Sequence, residues 1–312
     1  MELKPSENIN LYGMNYFFNE IITLLNKDKM PTKILLTGKK GIGKSTLAYH
    51  LINYILSTDE EFKYDTSDFI INKKNRSFNL LQNSSHPNFH LIDLLSDKKN
   101  IDIAQIRAMI AYANKSAFNN MARFILIDNI ENLNKNSVNA LLKVIEEPNE
   151  NIFFILINNS EKNILPTLKS RCLTFKINFT FNEIINISNQ LMNENILGLI
   201  NHDLISYYNT PGEIINLITF SKDKNINLKD YTLIEFLNLL IDNGYYKKDK
   251  RIKILLINFI ELFFLKEYKS SNSKNLLLNF YHNFINKIYN TEKFNLDDES
   301  LFLEFKSKLL NG

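Results

Sequence analysis

The sharpest chemical pattern in the chain is Gly38-Lys39-Lys40-Gly41-Ile42-Gly43-Lys44-Ser45. Its spacing is that of a phosphate loop, in which glycines let successive backbone N–H groups curl around phosphate oxygens and a lysine and a hydroxyl follow at once. Ile34-Leu35-Leu36 precedes it as an apolar, strand-like run, and Thr46 to Leu56 follows as a helix-like run, so a helix N-terminus would also face the anion. In that setting Lys44 reaches the β- and γ-phosphates and Ser45 ligates magnesium. The nucleotide-binding set is therefore Gly38, Gly41, Gly43, Lys44, Ser45 and Thr46, with ATP and magnesium as the expected ligand. An ordinary glycine- and lysine-rich turn is the alternative; spacing and context together weigh against it.

A second apolar run, Phe124-Ile125-Leu126-Ile127, ends in Asp128. A carboxylate at the C-terminal edge of a parallel strand can hold the magnesium that bridges nucleotide phosphates, so Asp128 joins the binding set as a metal-side residue beside Ser45. The next residue is Asn129, and an amide cannot take a proton from an attacking water. Glu131, displaced by two positions, is turned away from the Asp128 side if the strand continues.

These residues need a sheet to hold them. Apolar runs at Ile34–Leu36, Phe89–Ile92, Phe124–Ile127, Ile152–Ile157 and Leu173–Ile177 alternate with amphipathic stretches such as Ile103, Ile106, Met109, Ile110 and Ala113, or Val138, Leu141, Leu142 and Ile145 before Pro148. Strands alternating with helices predict a parallel sheet covered on both faces, one α/β domain over residues 1–178. Beyond Thr180 the periodicity is helical, which predicts a small helical lid over 179–221 and an all-helical C-terminal domain over 222–312, joined through the polar stretch Ser221–Lys229. Ser57 to about His86 is weakly patterned and reads as an insertion on the α/β domain, mobile at its polar ends.

Composition excludes several classes. A formal charge of +3 over 312 residues gives no basic footprint, so a nucleic-acid partner must come from motifs rather than from charge. The single cysteine, Cys172, rules out internal disulfides and a cysteine-rich zinc site and fits a reducing, cytoplasmic setting. No run approaches the roughly 18 apolar residues of a membrane span. The richest, Ile254–Leu265, is broken by Asn258 and Glu261, and the polar start Met1–Gly13 is unlike a secretion signal.

Several blocks are more specific. Asp128-Asn129-Ile130-Glu131-Asn132-Leu133, then Ser137-Val138-Asn139-Ala140-Leu141-Leu142-Lys143-Val144-Ile145-Glu146-Glu147-Pro148, Leu165-Pro166-Thr167-Leu168 and Ser170-Arg171-Cys172 follow one another behind the phosphate loop, with His86-Pro87-Asn88 and Ile101–Arg107 ahead of them. Together they resemble the bacterial clamp-loader subunits of DNA polymerase III, of the AAA+ class, over residues 14–178. The resemblance implies a P-loop AAA+ domain followed by a helical lid and a helical collar. It makes Arg171 an arginine finger acting in trans on a neighbouring subunit's ATP site. Where hydrolysing members carry glutamate this chain has Asn129, and its lid segment Thr210-Pro211-Gly212-Glu213-Ile214 lacks the arginine that the ATP-hydrolysing subunit places there. The family's four zinc cysteines are missing, and His86 and His90 alone cannot complete a tetrahedral site.

These departures fit the delta-prime type within the family: a subunit with weak or no ATPase of its own, working in a hetero-pentamer with gamma/tau-like motor and delta-like subunits to load the sliding clamp on primed DNA, with no membrane partner. An autonomous AAA+ ATPase of the gamma/tau motor type is the competing reading, favoured by the intact phosphate loop. A small-molecule P-loop kinase would leave the Ser-Arg-Cys block unexplained. Arginine occurs only five times, at 76, 107, 123, 171 and 251, in a lysine-favouring chain, a hint that planar, bidentate geometry is needed where it is kept. The cluster Lys247, Lys248, Lys250, Arg251 and Lys253 reads as a solvated helix face rather than a DNA contact.

Overall fold

Five apolar runs pair into one parallel sheet in the order β2-β3-β4-β1-β5. The strands are β1 (Lys33–Thr37), β2 (Phe89–Ile92), β3 (Arg123–Ile127), β4 (Ile152–Asn158) and β5 (Leu173–Lys176). The computed structural model describes residues 4–26, 31–95, 98–115, 121–147, 149, 151–160, 164–270, 274–294 and 296–310. Pro148, expected to stop a helix, and Met1 to Leu3 at the start of the chain lie outside the described residues.

The near-continuous hydrophobicity of the strands follows from burial on both faces. Successive side chains point to opposite sides. Ile34, Leu36, Phe124, Leu126, Ile155 and Ile157 enter one core, with helices α1 (Asn15–Asn26) and α2 (Lys44–Leu56) against it. Leu35, Ile125, Ile127, Phe154 and Leu156 enter the other. In sequence order the next helices are α3 (Arg76–Gln82), α4 (Ile103–Asn114), α5 (Lys135–Glu146), α6 (Pro166–Lys169) and α7 (Phe181–Met192). Ile106 and Met109 of α4 and Leu141 and Ile145 of α5 fill the second core at the predicted helical spacing. Both helices begin at side-chain caps: Gln105 accepts from the Asp102 N–H, and Asn134 accepts from the Ser137 N–H.

The chain divides into two compact units, Met1–Leu191 with Thr210–Gly212, and Met192–Asn209 with Glu213–Gly312. Helix α7, which the sequence places in a lid, is thus grouped with the sheet, where Ile187 packs on Gly13 so closely that a Cβ there would come within 2.3 Å of it. The second unit carries α8 (Pro211–Lys224) from Glu213 onward, α9 (Leu233–Asp242), α10 (Lys250–Ser270), α11 (Lys274–Phe294) and α12 (Asp298–Phe305). Many of its aromatic residues are core, Phe236 meeting Phe259 edge-on at 5.3 Å and Phe263 meeting Phe305 at 5.6 Å, while Tyr207, Tyr208, Tyr268, Tyr289 and Phe294 are exposed. The stretch read as a linker is ordered inside this unit, since Ser221–Lys224 ends α8 and Leu228 is buried.

The Ser57–His86 segment is tied down rather than loose. The Glu60 carboxylate accepts from the Arg76 and Ser77 N–H groups at 2.8 and 2.9 Å and from the Ser77 hydroxyl at 2.5 Å, and Ser77 lies 3.3 Å from His86 Nε2. Buried Asn53 donates to Asn75 at 3.1 Å. Among the described residues no three His, Cys, Asp or Glu side chains cluster as metal ligands.

Candidate functional site

The phosphate loop leaves β1 at Thr37 and enters α2 at Lys44, so it stands at the C-terminal edge of the sheet. Gly43 precedes the helix at φ 101°, a left-handed conformation that side chains resist. Gly41 is close-packed: Gly212 donates its N–H to the Gly41 carbonyl at 2.9 Å, and a Cβ on Gly212 would come within 2.8 Å of the Gly41 Cα. Lys44 is buried, and its Nζ donates to the carbonyls of Gly38 and Lys39 at 2.9 and 2.7 Å, which places the ammonium inside the curl of the loop. Thr46 differs from the rest of the set, because its hydroxyl oxygen already accepts from Asn8 at 3.3 Å.

Asp128 follows β3 and accepts from the Ser45 hydroxyl at 2.5 Å, so the two magnesium-side residues predicted from separate strands converge. Burial pushes the Asp128 carboxyl above the usual carboxylate range, and the nearby Asp93 charge pushes the same way, while the Ser45 hydrogen bond opposes both. A hydroxyl and a carboxylate are the hard oxygen donors magnesium takes, and a divalent cation would reverse the electrostatic penalty on Asp128. The donor set fits the ion.

Asn129 occupies the place beside Asp128 in a left-handed conformation, φ 57°. Its amide donates to Asp93 at 2.6 Å and accepts from the Asn159 amide at 2.7 Å, linking residues that follow β2, β3 and β4. The strand does not continue past Ile127. The chain turns into a short 3₁₀ segment at Ile130–Asn132, and Glu131 accepts from the Asn159 N–H at 3.3 Å. Asp93, Asn158 and Asn159 were not singled out from the sequence; the available signal was a polar pair, buried here, closing the apolar run 152–157. Gly38 donates its N–H to the Asn158 carbonyl at 3.3 Å, joining this end of β4 to the phosphate loop.

Arg171 lies elsewhere. Ile34 of β1 pairs with Leu173 of β5, so Arg171, two residues before β5, sits at the N-terminal edge of the sheet, about five residues or ~17 Å of strand from the level of the phosphate loop. Its side chain is 36% exposed, pairs with Glu146 at 2.6 Å and donates to the Thr167 carbonyl at 2.8 Å. Arg123 shows the contrast: it is buried and donates to the Lys115 carbonyl at 2.8 Å and the Ala113 carbonyl at 3.3 Å, closing the end of α4. Cys172 is half-buried, and burial pushes its thiol up to about 11, which suits a packed residue and not a nucleophile. In the second unit the basic cluster is largely neutralised, with Lys247 on Glu299 at 2.6 Å, Lys253 on Asp298 at 2.7 Å and Arg251 on Asp249 at 2.9 Å.

The family described as DNA polymerase III, delta subunit, matches residues 14–180. The chain is 28% identical over 289 residues to the DNA polymerase III subunit delta' of Buchnera aphidicola from Schizaphis graminum, covering 88% of this chain and 83% of that one. The delta' subunit of the Baizongia pistaciae strain is 26% identical over 317 residues, 86% and 93% of the two chains. A DNA polymerase III gamma subunit of the Schizaphis graminum strain is 31% identical over 241 residues, 73% and 63%.

Proposed function

The chain belongs to the bacterial DNA polymerase III delta-subunit family and is a clamp-loader subunit of the delta-prime type, and from that premise we propose that it completes a neighbour's ATP site rather than running its own. The observation that carries this is the separation of the two cationic groups along the sheet: Lys44 is buried at one edge, and Arg171 is exposed at the other. An arginine about 17 Å of strand away from its own phosphate loop has no access to phosphates bound there. Its proposed target is a nucleotide bound by a partner. There its planar, permanently charged fork stabilises the charge that develops on the transferred phosphoryl group.

The chain's own loop binds ATP with magnesium through Lys44, Ser45 and Asp128 and turns it over negligibly. A general base is needed beside Asp128. The group there is the Asn129 amide, already spent on Asp93 and Asn159. The partners are gamma/tau-like motor subunits and a delta-like subunit in a hetero-pentamer, the sliding clamp, and primed DNA reached through the assembly.

The test is Arg171→Ala in a complex rebuilt with the motor and delta-type subunits of the same cell. Arginine fingers contribute about 10³ to 10⁵ in rate where they act, so one site of several should fall silent. Total DNA-stimulated ATPase then drops partially and clamp loading drops more, while nucleotide binding by the isolated chain is unchanged. Clamp loading at the unmodified rate refutes the trans role.

The intact phosphate loop favours a second reading, an autonomous motor of the gamma/tau type. A steady-state turnover by the isolated chain near the enzyme median of about 10 per second would establish it. Restoring the base is not a simple repair, because Asn129→Glu would set a carboxylate against Asp93, which sits 2.6 Å from the present amide.

A further inference from the structure

We propose that Glu146 is a positioning residue for Arg171, holding the guanidinium in the orientation from which it reaches the neighbouring nucleotide. This rests on the trans-finger reading above. Glu146 is the last residue of α5 and Thr167 lies in α6, so the two contacts on Arg171 come from separate elements: Glu146 on one terminal nitrogen at 2.6 Å and the Thr167 carbonyl on the other at 2.8 Å. Two anchors on different nitrogens fix the plane of a rigid, planar fork, where one would leave it free to swing. The ordering cost of a long, flexible side chain is thereby met before the partner arrives.

The pair has little to do for the fold. Arg171 and Glu146 are 36% and 48% exposed, and an ion pair so open to water contributes little to stability. A glutamate at the C-terminus of a helix is also on the wrong end for the helix dipole, so α5 gains nothing from it. What remains is orientation. Water screens the pair enough that the guanidinium can exchange a carboxylate for a phosphoryl group carrying more charge. Glu147, the next residue, forms no hydrogen bond or ion pair with Arg171 among the described residues and serves as an internal control.

The experiment measures DNA-stimulated ATPase of the rebuilt complex with the wild-type chain, Glu146→Gln, Glu147→Gln, Arg171→Ala and the double variant Glu146→Gln with Arg171→Ala. The expected result is a fall in kcat for Glu146→Gln smaller than that for Arg171→Ala, corresponding to a slowing of about two- to fivefold at the one site Arg171 serves, with KM unchanged, the size of effect an exposed ion pair can exert. Glu146→Asp should recover part of it, Glu147→Gln should match wild type, and Glu146→Gln should add nothing on top of Arg171→Ala. If Arg171→Ala is defective while Glu146→Gln is normal, faster than wild type, or equally harmful in both backgrounds, the finger reading stands and the positioning role is overturned. If Arg171→Ala behaves as wild type, both fall together.

Discussion

At the C-terminal edge of the sheet the polar groups are buried or half-buried and bonded to one another, whereas at the N-terminal edge Arg171 and Glu146 stand more than a third exposed. Lys44 is held inside the phosphate loop by two carbonyls, Ser45 by Asp128, and Asn129 by Asp93 and Asn159. Such a network is preorganised and resists rearrangement, because each member left unpaired in a low-dielectric setting is costly. An exposed ion pair is cheap to break and so suits a group that must change partners. On the proposed reading, the first edge serves a ligand of this chain and the second a ligand held by another.

Lys44→Ala should sharpen the comparison most. It removes a charge-assisted contact worth about 1.5–3 kcal/mol, so nucleotide affinity of the isolated chain should fall by at least about tenfold. A fluorescence titration with ATP and magnesium reads this, and an affinity within twofold of wild type would show that the loop is not the site. Asn129→Ala comes next. It leaves Asp93 and Asn159 without their shared partner, at a cost of about 1–3 kcal/mol, measurable as a lower midpoint in denaturant. An unchanged midpoint would mean that the bridge between the strand ends carries no energy.

Asp128→Asn should act in the opposite direction. The folded-state pKa of Asp128 is raised by burial, so in the range above it the charged carboxylate weakens the fold, and the penalty disappears as pH falls below the unfolded value of about 4. The variant should therefore melt higher than wild type at pH 7, by less at pH 4, and lose magnesium-dependent nucleotide binding. A lower melting temperature at pH 7 would contradict the assigned cause of the shift. The smallest effect belongs to the other edge: Arg171→Ala should change stability by no more than about 0.5 kcal/mol, as exposed substitutions do. A loss comparable to Asn129→Ala would erase the distinction between the two edges.

Local pattern determined much of this chain. Five apolar runs are strands within a residue or two of where the sequence pattern puts them, because strands buried on both faces, as β1, β3 and β4 are, must be apolar nearly throughout. The phosphate loop was legible for a similar reason: glycines, lysine and hydroxyl sit next to one another in sequence, so their chemistry does not wait for the fold. Tertiary structure decided what depends on side chains brought from different strands. The parity of a continuing strand turned Glu131 away, but the left-handed Asn129 ends the strand and aims Glu131 at Asn159. Asp93, Asn129 and Asn159 are separated by 36 and 30 residues, and no spacing rule joins them until β2, β3 and β4 lie side by side. The same holds for Arg171. Its type and motif were visible in the sequence, but only the parallel pairing of β1 with β5 places it at the far edge from Lys44, since strand direction, not sequence distance, sets which end of a sheet a residue occupies.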